Sequence, residues 1–440
     1  MSTKVPPDKV EAVKMILKAL HAGESIDRLK REFGAVLSQI SPFDIPLIEQ
    51  QLVMEGVKIE DILRLCDLHV ELFREYLVAR ELEGVPRGHP LDLLIRENEW
   101  ILKQADALGL HASKVLRAGS DDEAKGALAD LKQVALELAK IRLHYRKIQM
   151  LLFPYLERRG IVAVPRVMWG REDQVRVKLR GLLDAIQKVE TDFDRSRANE
   201  LANRALEIAR ETSELVFREN KILFPAVWAL FTEGEWAAIA DIADDLGYLV
   251  EVKEKWSTDA EPILPYQLKA EITPEQVQRL PQEFRSMALS HGVQPDTYEI
   301  RSKDDLDLGT GFLSLEEVRA LFRSLPLEIT YANTDDRVRF FTESIFHQRF
   351  VRTKTILGRR LEYCHPPRLE PAVRKVVDDI KMGEANYREF WTKIGGRIVR
   401  VLIVGVKNEE NKLLGTVEIV EDFTDIINNP EEVRKKILVL

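Results

Sequence analysis

Between residues 89 and 231 the chain carries four long runs of apolar residues at helical spacing, separated by breaks of only a few residues. The runs fall at about 89–117, 122–158, 169–190 and 195–231. The breaks are Gly119-Ser-Asp-Asp122, Gly160 to Pro165, and Thr191 to Asp194. Short connections oblige consecutive helices to run antiparallel, so the stretch predicts an up-down four-helix bundle. It also contains an echo of itself. QMLLFP at 149–154 comes late in the second run, and NKILFP at 220–225 late in the fourth, an offset of 71 residues from Gln149 to Asn220. Two helical hairpins of one design would leave such a trace.

The rest of the chain reads differently on either side. Val10, Val13, Ile16, Leu17 and Leu20 recur at helical spacing until Gly23 stops them. Ser41-Pro42 opens another helix, and Ile59 to Arg80 is a longer one that carries Cys66 and His69. Gly84-Val-Pro-Arg-Gly88 marks a boundary. After Gly234 a short helix at 235–246 leads to a strand-like Tyr248–Lys253. Residues 255–310 are mixed and proline-bearing, with a linker-like Asp304–Gly311. From about 312 the pattern is α/β. Helices fall at 315–324 and 369–382, and strands at 328–332 and 337–341 flank Asn333-Thr-Asp-Asp336. A hairpin of 397–406 and 414–421 turns at Asn408-Glu-Glu-Asn411. The expected divisions are 1–84, a helical domain; 85–254, the bundle; 255–310, a linker or mixed segment; and 311–440, an α/β domain. A chain of 440 residues is long enough for several domains.

Totals exclude some classes of function. A net charge of −8 leaves no basic footprint for nucleic acid. No apolar run reaches the ~18 residues that span a bilayer, and the first residues lack the apolar core of a secretory signal. Two cysteines, Cys66 and Cys364, make no disulfide framework, so a reducing cytoplasm is the expected location. Walker loops, dinucleotide-binding glycine patterns and nucleophile elbows are missing from the sequence.

Three sets of segments resemble one known domain arrangement. LKALHAGESIDRLKREF and EQQLVMEGVKIEDILRLCDLHVELF, within 17–73, are similar to a small helical domain of unknown function found ahead of hemerythrin-like domains in some archaea and bacteria. HPLDLLIRENE (89–99), HYRKIQMLLFPYLERRGI (144–161), VMWGREDQVR (167–176) and FRENKILFP (217–225) resemble the hemerythrin-like cation-binding bundle. LPLEITYANTDDRVRFF (325–341), ILGRRLEYCHPP (356–367) and the run 387–424 resemble a PAS-type sensor domain, an antiparallel sheet with flanking helices.

The resemblance implies two irons held by inward-facing histidines and carboxylates, a donor set suited to iron. The candidates in this chain are His89, Glu97, His144, Asp173 and Glu219, with His111 and Glu172 nearby. A shift by 71 places Leu215 opposite His144 and Asn220 opposite Gln149. The fourth helix therefore lacks its histidine, and Gln149 stands where relatives tend to carry an acid. The reading favoured is a degenerate site whose polar groups satisfy one another, since buried polar groups need partners with or without metal. A single metal at His89, His144 and a carboxylate, or a full di-iron centre, are the alternatives.

Other candidates lie outside the bundle. Cys66 and His69, at i and i+3, share a helix face that could hold a metal but lack a second pair. Cys364-His365-Pro366-Pro367 fixes two side chains in a defined pose, and the PAS resemblance makes Cys364 or His365 a ligand contact or an axial haem ligand, with His347 as an alternative. Phe390 and Trp391 are expected to pack on the sheet. Arg349 to Lys354 and Arg359-Arg360 either bind an anion or are solvated charges. Together these readings predict a sensory or regulatory protein that is not an enzyme. It would detect a small molecule, redox state or protein signalling partner, with a homodimer expected through the PAS domain. The alternative is a non-haem iron protein acting on oxygen, peroxide or nitric oxide.

Overall fold

The computed structural model describes residues 9–38, 52, 56–57, 72, 82–268, 295–343 and 352–438. Cys66, His69, His347 and Arg349 lie outside the described residues. The chain divides into two compact units, Met1–Tyr298 and Glu299–Leu440.

In the first unit, α1 (Lys9–His21) and α2 (Ile26–Leu37) pack against each other. Ser25 caps α2 by accepting from the Arg28 amide, which satisfies one of the free donors at a helix start. The bundle begins with α3 (Pro90–Arg117), where Pro90 occupies the first turn and costs no hydrogen bond. Its second helix is α4 (Asp121–Leu138), continued by a 3₁₀ turn, α5 (Arg142–Lys147), a π turn (Ile148–Leu152) and α6 (Phe153–Arg158). The third is α7 (Ala163–Thr191). The fourth is α8 (Arg195–Arg218), followed by a π turn (Glu219–Leu223) and α9 (Phe224–Leu230). α10 (Glu233–Leu246) follows, opened by a Thr232/Glu235 capping box. The third helix starts earlier than the sequence breaks predict. Pro165 falls in its first turn, where the missing N–H is one the helix would leave free anyway.

The two π turns explain the echo. They begin at Ile148 and Glu219, again 71 residues apart, and each runs directly into a Phe-Pro pair. Inside an α-helix a proline removes one hydrogen bond and its ring presses on the preceding turn. A π turn widens the ladder to i→i+5, with Phe153 N donating to Ile148 O and Phe224 N to Glu219 O. The helix thus passes the proline without stopping.

Beyond α10 the sequence predicts a strand at 248–253, and the structure has none. The segment's amide groups are used by the bundle instead. Leu249 N donates to the Glu97 carboxylate at 2.9 Å, and the Arg96 guanidinium donates to Glu251 O at 2.9 Å. Further along this strap, Trp256 N donates to Gly88 O and Ile263 N to Gly234 O. Gly88 is required here. Its φ is +75°, and a Cβ on it would lie 2.6 Å from Glu254 O. Gly88→Ala should therefore destabilise this unit by about 1–3 kcal/mol, read from urea unfolding.

The second unit holds a five-stranded antiparallel sheet in the order β4-β3-β7-β6-β5. Its strands are β3 (Glu328–Asn333), β4 (Val338–Phe341), β5 (Tyr387–Ile394), β6 (Arg397–Lys407) and β7 (Leu413–Asp422). A small β1 (Leu306–Asp307)/β2 (Phe312–Leu313) ladder and α11 (Leu315–Ser324) precede it. Alternation sets the faces. Val399, Val401 and Ile403 of β6, with Val420 of β7, point to one face and meet Ile380 of α12 (Glu370–Lys381). Thr330 and Ala332 of β3, and Thr416 and Glu418 of β7, share that face by register. Among the described residues no helix is long and apolar enough to cross a membrane.

Candidate metal centre and ligand cavity

Four glutamate and histidine side chains meet in the middle of the bundle, one from each long helix. Glu97, His144, Glu172 and Glu219 are all fully buried. Each falls on its helix's apolar stripe, as Glu97 does between Leu94 and Ile101, and Glu172 between Met168 and Val175. The His144 ring bridges two of the acids. Its Nδ1 lies 2.7 Å from Glu97 Oε2 and its Nε2 3.0 Å from Glu219 Oε2. Lys147, one turn on, donates to Glu97 Oε1 at 2.7 Å and to Gly247 O at 2.7 Å, and its ammonium lies 5.0 Å from the Tyr248 ring centre. Gln149 donates to Glu172 Oε2 at 2.6 Å, and Asn98 donates to Asn220 Oδ1 at 3.0 Å. The echoed amide positions, Gln149 and Asn220, thus each meet a polar partner from another helix.

These contacts fix the charge states. Burial would push the His144 imidazole down, but Glu219 and Glu97 overcome it and raise the ring to about 9, so it is an imidazolium at neutral pH. Burial would raise Glu97, but the hydrogen bonds and charges of His144 and Lys147 hold it below the usual carboxylate range. Burial lowers Lys147, and Glu97 offsets this in part. Burial and the neighbouring Glu219 push Glu172 up to about 8, against the Gln149 hydrogen bond, so it is a neutral acid at pH 7. His144 and Lys147 face Glu97 and Glu219, and Glu172 keeps its proton. The cluster is balanced by its own side chains.

A di-iron pair does not fit this donor set. A ligating imidazole must present a lone pair, whereas both nitrogens of His144 are drawn to carboxylates. Glu97 has both oxygens committed, and a lysine cation occupies its outer side. The cluster offers one histidine, and its remaining open atoms are Asn98 Oδ1, Glu172 Oε1, Glu219 Oε1 and the Tyr145 hydroxyl. Among the described residues no group of three or more His, Cys, Asp or Glu is arranged to hold a metal ion.

The other bundle candidates lie elsewhere. His89 is the N-cap of α3, where Nδ1 accepts from the Leu91 amide at 3.1 Å. Its ring sits edge-on among Trp228, Trp236 and Trp256, at 4.7–5.2 Å between centres, and burial lowers it to about 4. It is a neutral capping group. Asp173 faces outward and pairs with Arg176 at 3.6 Å. His111 lies 3.6 Å from Asp130. Lys147 was not among the sequence candidates, although its position three residues after His144 on one helix face could have pointed to it.

The second unit encloses a cavity of about 590 Å³ between the sheet and the 361–377 segment. Its wall is mostly apolar, including Leu361, Val373, Val377, Val401 and Ile403, and Thr330, Thr416 and Glu418 line it from the sheet. His365 lines it too. Its Nδ1–H donates to Leu361 O at 3.0 Å, which leaves Nε2 as the nitrogen for a ligand. The Cys364 thiol does not line the cavity. It lies 3.6 Å from Arg360 O, and burial pushes it up. Arg352, from the basic cluster, is neither solvated nor free for an anion. Its guanidinium is buried and donates to Glu328 at 2.5 Å, Thr330 at 2.6 Å and Glu418 at 2.9 Å. Phe390 and Trp391 stand on β5 at the cavity's edge, about half exposed, with Trp391 against Phe423.

Comparison with known proteins agrees with this division. A family of unknown function (DUF438) matches residues 13–79, the hemerythrin HHE cation binding domain matches 89–227, and a PAS domain matches 318–424. No curated protein matches the chain. Among solved structures, a C-terminal domain from Streptococcus mutans is 30% identical, covering 28% of this chain and 96% of that one, with a TM-score of 0.27. A sensory box sensor histidine kinase from Vibrio cholerae is 13% identical, covering 24% of this chain and 90% of that one, with a TM-score of 0.19. The chain therefore joins, in order, a segment of the DUF438 family, a hemerythrin HHE domain and a PAS domain.

Proposed function

We propose that this protein is a sensor whose PAS domain captures a small molecule and whose hemerythrin-type bundle works without iron. A hemerythrin domain and a PAS domain on one chain fit a sensory or regulatory role. The cavity carries the reading. It falls within the roughly 300–1,000 Å³ typical of small-molecule sites, and a few polar groups converge on an otherwise apolar wall. The ion-paired bundle core supports the second half, because its carboxylates are already neutralised by His144 and Lys147. A partner protein or a second copy would carry the signal onward.

Elemental analysis and an absorption spectrum of the full chain, produced with added iron, test both halves. We expect less than about 0.2 iron per chain, because the donors are already committed. Two irons per chain with iron–oxo absorption would sink the metal-free reading and favour an iron protein acting on oxygen, peroxide or nitric oxide. A haem absorption band would place iron at His365 instead.

A further inference from the structure

We propose that the PAS cavity takes an uncharged, largely apolar molecule that carries an N–H or O–H donor. This names the ligand class for the site of the proposed function and rests on that reading. The inference comes from which polar atoms of the wall are left open. Strand register decides which side chains face inward. Thr330 of β3 pairs with Glu418 of β7, and Glu418 with Ile403 of β6, so all three share the face that meets α12. Thr416, two residues before Glu418, shares it too. Thr330 is engaged, because its hydroxyl oxygen accepts from Arg352 Nε at 2.6 Å. Glu418 is engaged on one side only. Its Oε1 accepts from Arg352 at 2.9 Å, and its Oε2 has no partner among the described residues. The Thr416 hydroxyl has none either, although the residue is only 3% exposed. His365 completes the set from the opposite wall. Its Nδ1–H is committed to Leu361 O, so Nε2 of the neutral ring presents a bare lone pair. The Cys364 thiol is raised first by burial and also by the Glu418 charge, which puts the turn carrying His365 close to Glu418.

Two of these open groups, Glu418 Oε2 and His365 Nε2, accept hydrogen bonds and cannot give them, while the Thr416 hydroxyl can do either. A purely apolar ligand would cover both acceptors without a partner, which costs the full desolvation of each. A carboxylate ligand would set its oxygens against Glu418 Oε2. An ammonium would stand beside the Arg352 guanidinium, which already offsets the Glu418 charge, and would lose its hydration to a mostly apolar wall. Arg368, at the opening, is exposed, so water and salt screen its charge and it selects little. A neutral donor on an apolar body meets the open acceptors and avoids both charge conflicts. Burial of the body against Val373, Val377, Val401 and Ile403 supplies the affinity, and the donor supplies the choice.

The test is equilibrium dialysis of the full chain with carbazole, a neutral N–H donor with no acceptor, beside N-methylcarbazole, which lacks only that donor. Naphthoate, naphthylmethylammonium and haem serve as anionic, cationic and iron-bearing comparisons. We expect carbazole to bind about tenfold or more tightly than its methyl analogue, the usual weight of one hydrogen bond to a charged acceptor. Glu418→Gln keeps an oxygen for Arg352 and turns the open oxygen into an amide N–H₂, and His365→Phe keeps the ring and removes Nε2. The double variant should therefore bind the two carbazoles alike, and the comparison on the parent chain stands even where that variant fails to fold. N-methylcarbazole, naphthoate, the ammonium compound or haem binding the parent as tightly as carbazole, or a folded double variant that keeps the preference, would overturn the donor class while leaving the cavity as the sensor site. Val373→Trp, which fills the chamber from α12, separates the two levels. If no compound binds the parent chain, the donor class falls. If every compound binds parent and Val373→Trp alike, the cavity reading falls with it.

Discussion

Replacing Glu97 with alanine should lower the stability of the bundle by about 3–5 kcal/mol. The Glu97 carboxylate accepts from His144 Nδ1, Lys147 Nζ and Leu249 N, all inside a region closed to water. Alanine would leave the Leu249 amide without its acceptor and take one acceptor from each of two buried cations, leaving His144 only Glu219 and Lys147 only the Gly247 carbonyl. Asp173→Ala, one residue from Glu172 but on the outer face, should change stability by less than about 0.5 kcal/mol. The contrast also discriminates between kinds of site. In a vacant cluster of metal-binding carboxylates, removing one acid relieves repulsion and stabilises the metal-free protein. In an ion-paired core it does the reverse. Urea unfolding of the two variants in metal-free buffer decides the matter. The probe should be fluorescence from Trp100, Trp169, Trp228, Trp236 and Trp256 on a Trp391→Phe background, which silences the sixth tryptophan. A Glu97→Ala chain as stable as its parent would refute the ion-paired core.

Why some of this could be read beforehand and some could not follows from particular residues. The bundle was legible because its signals are local, namely apolar residues at helical spacing and breaks at Gly119, Gly160 and Asp194. The β6–β7 hairpin was legible for the same reason, with alternating valines on either side of a polar turn. β5 was not separately read as a strand. It is an edge strand whose aromatic and charged residues are mostly exposed, so apolar alternation is lost. The expected strand at 248–253 was a false positive of the opposite kind, since Tyr248-Leu-Val-Glu-Val alternates well but has no strand to pair with. Its amide groups answer to Glu97 instead.

In the bundle centre the hemerythrin-like resemblance pointed to Glu97, His144 and Glu219, and each lies on the buried face of its helix. Reading Asp173 in place of Glu172 is a one-residue slip, and it turns the side chain by about 100° around the helix, from core to solvent. The π turns were invisible because they break the very period used to find helices. Lys147 was passed over because a lysine on a core stripe usually reaches for solvent. Here it folds inward, since Glu97 and the Gly247 carbonyl offer more than water would.

The same core should make this unit less stable as pH rises above about 6.5. His144 titrates near 6.5 when unfolded and at about 9 in the fold. Its contribution is full below 6.5 and is lost as pH climbs through 9. Glu172 moves from 4.5 to about 8, so the folded state holds a proton that the unfolded chain has released, and stability falls across that window as well. Stability changes with pH by 2.303RT times the protons bound unfolded minus those bound folded. Between pH 6.5 and 8 that difference approaches minus two, a slope of about −2.7 kcal/mol per unit, and between 8 and 9 about half of that. Other groups act outside this window or against it. His89, lowered to about 4, adds stability as pH rises to 6.5 and so cancels the Glu172 slope there. Lys147, lowered by burial, opposes the decline at the alkaline end. Tyr145 is raised by burial and by its acidic neighbours, and it takes effect above the tyrosine range. Urea midpoints followed by the same five tryptophans at pH 6.5, 7.2, 8 and 9 should therefore fall in steps. Glu172→Gln keeps the Gln149 hydrogen bond without a titrating proton, so it should halve the slope between 6.5 and 8 while leaving the fall from 8 to 9 in place. Stability that is flat or rising from 6.5 to 9 in the parent would mean that His144 carries no proton between its two acids, and the proposal of a metal-free core would fall with it.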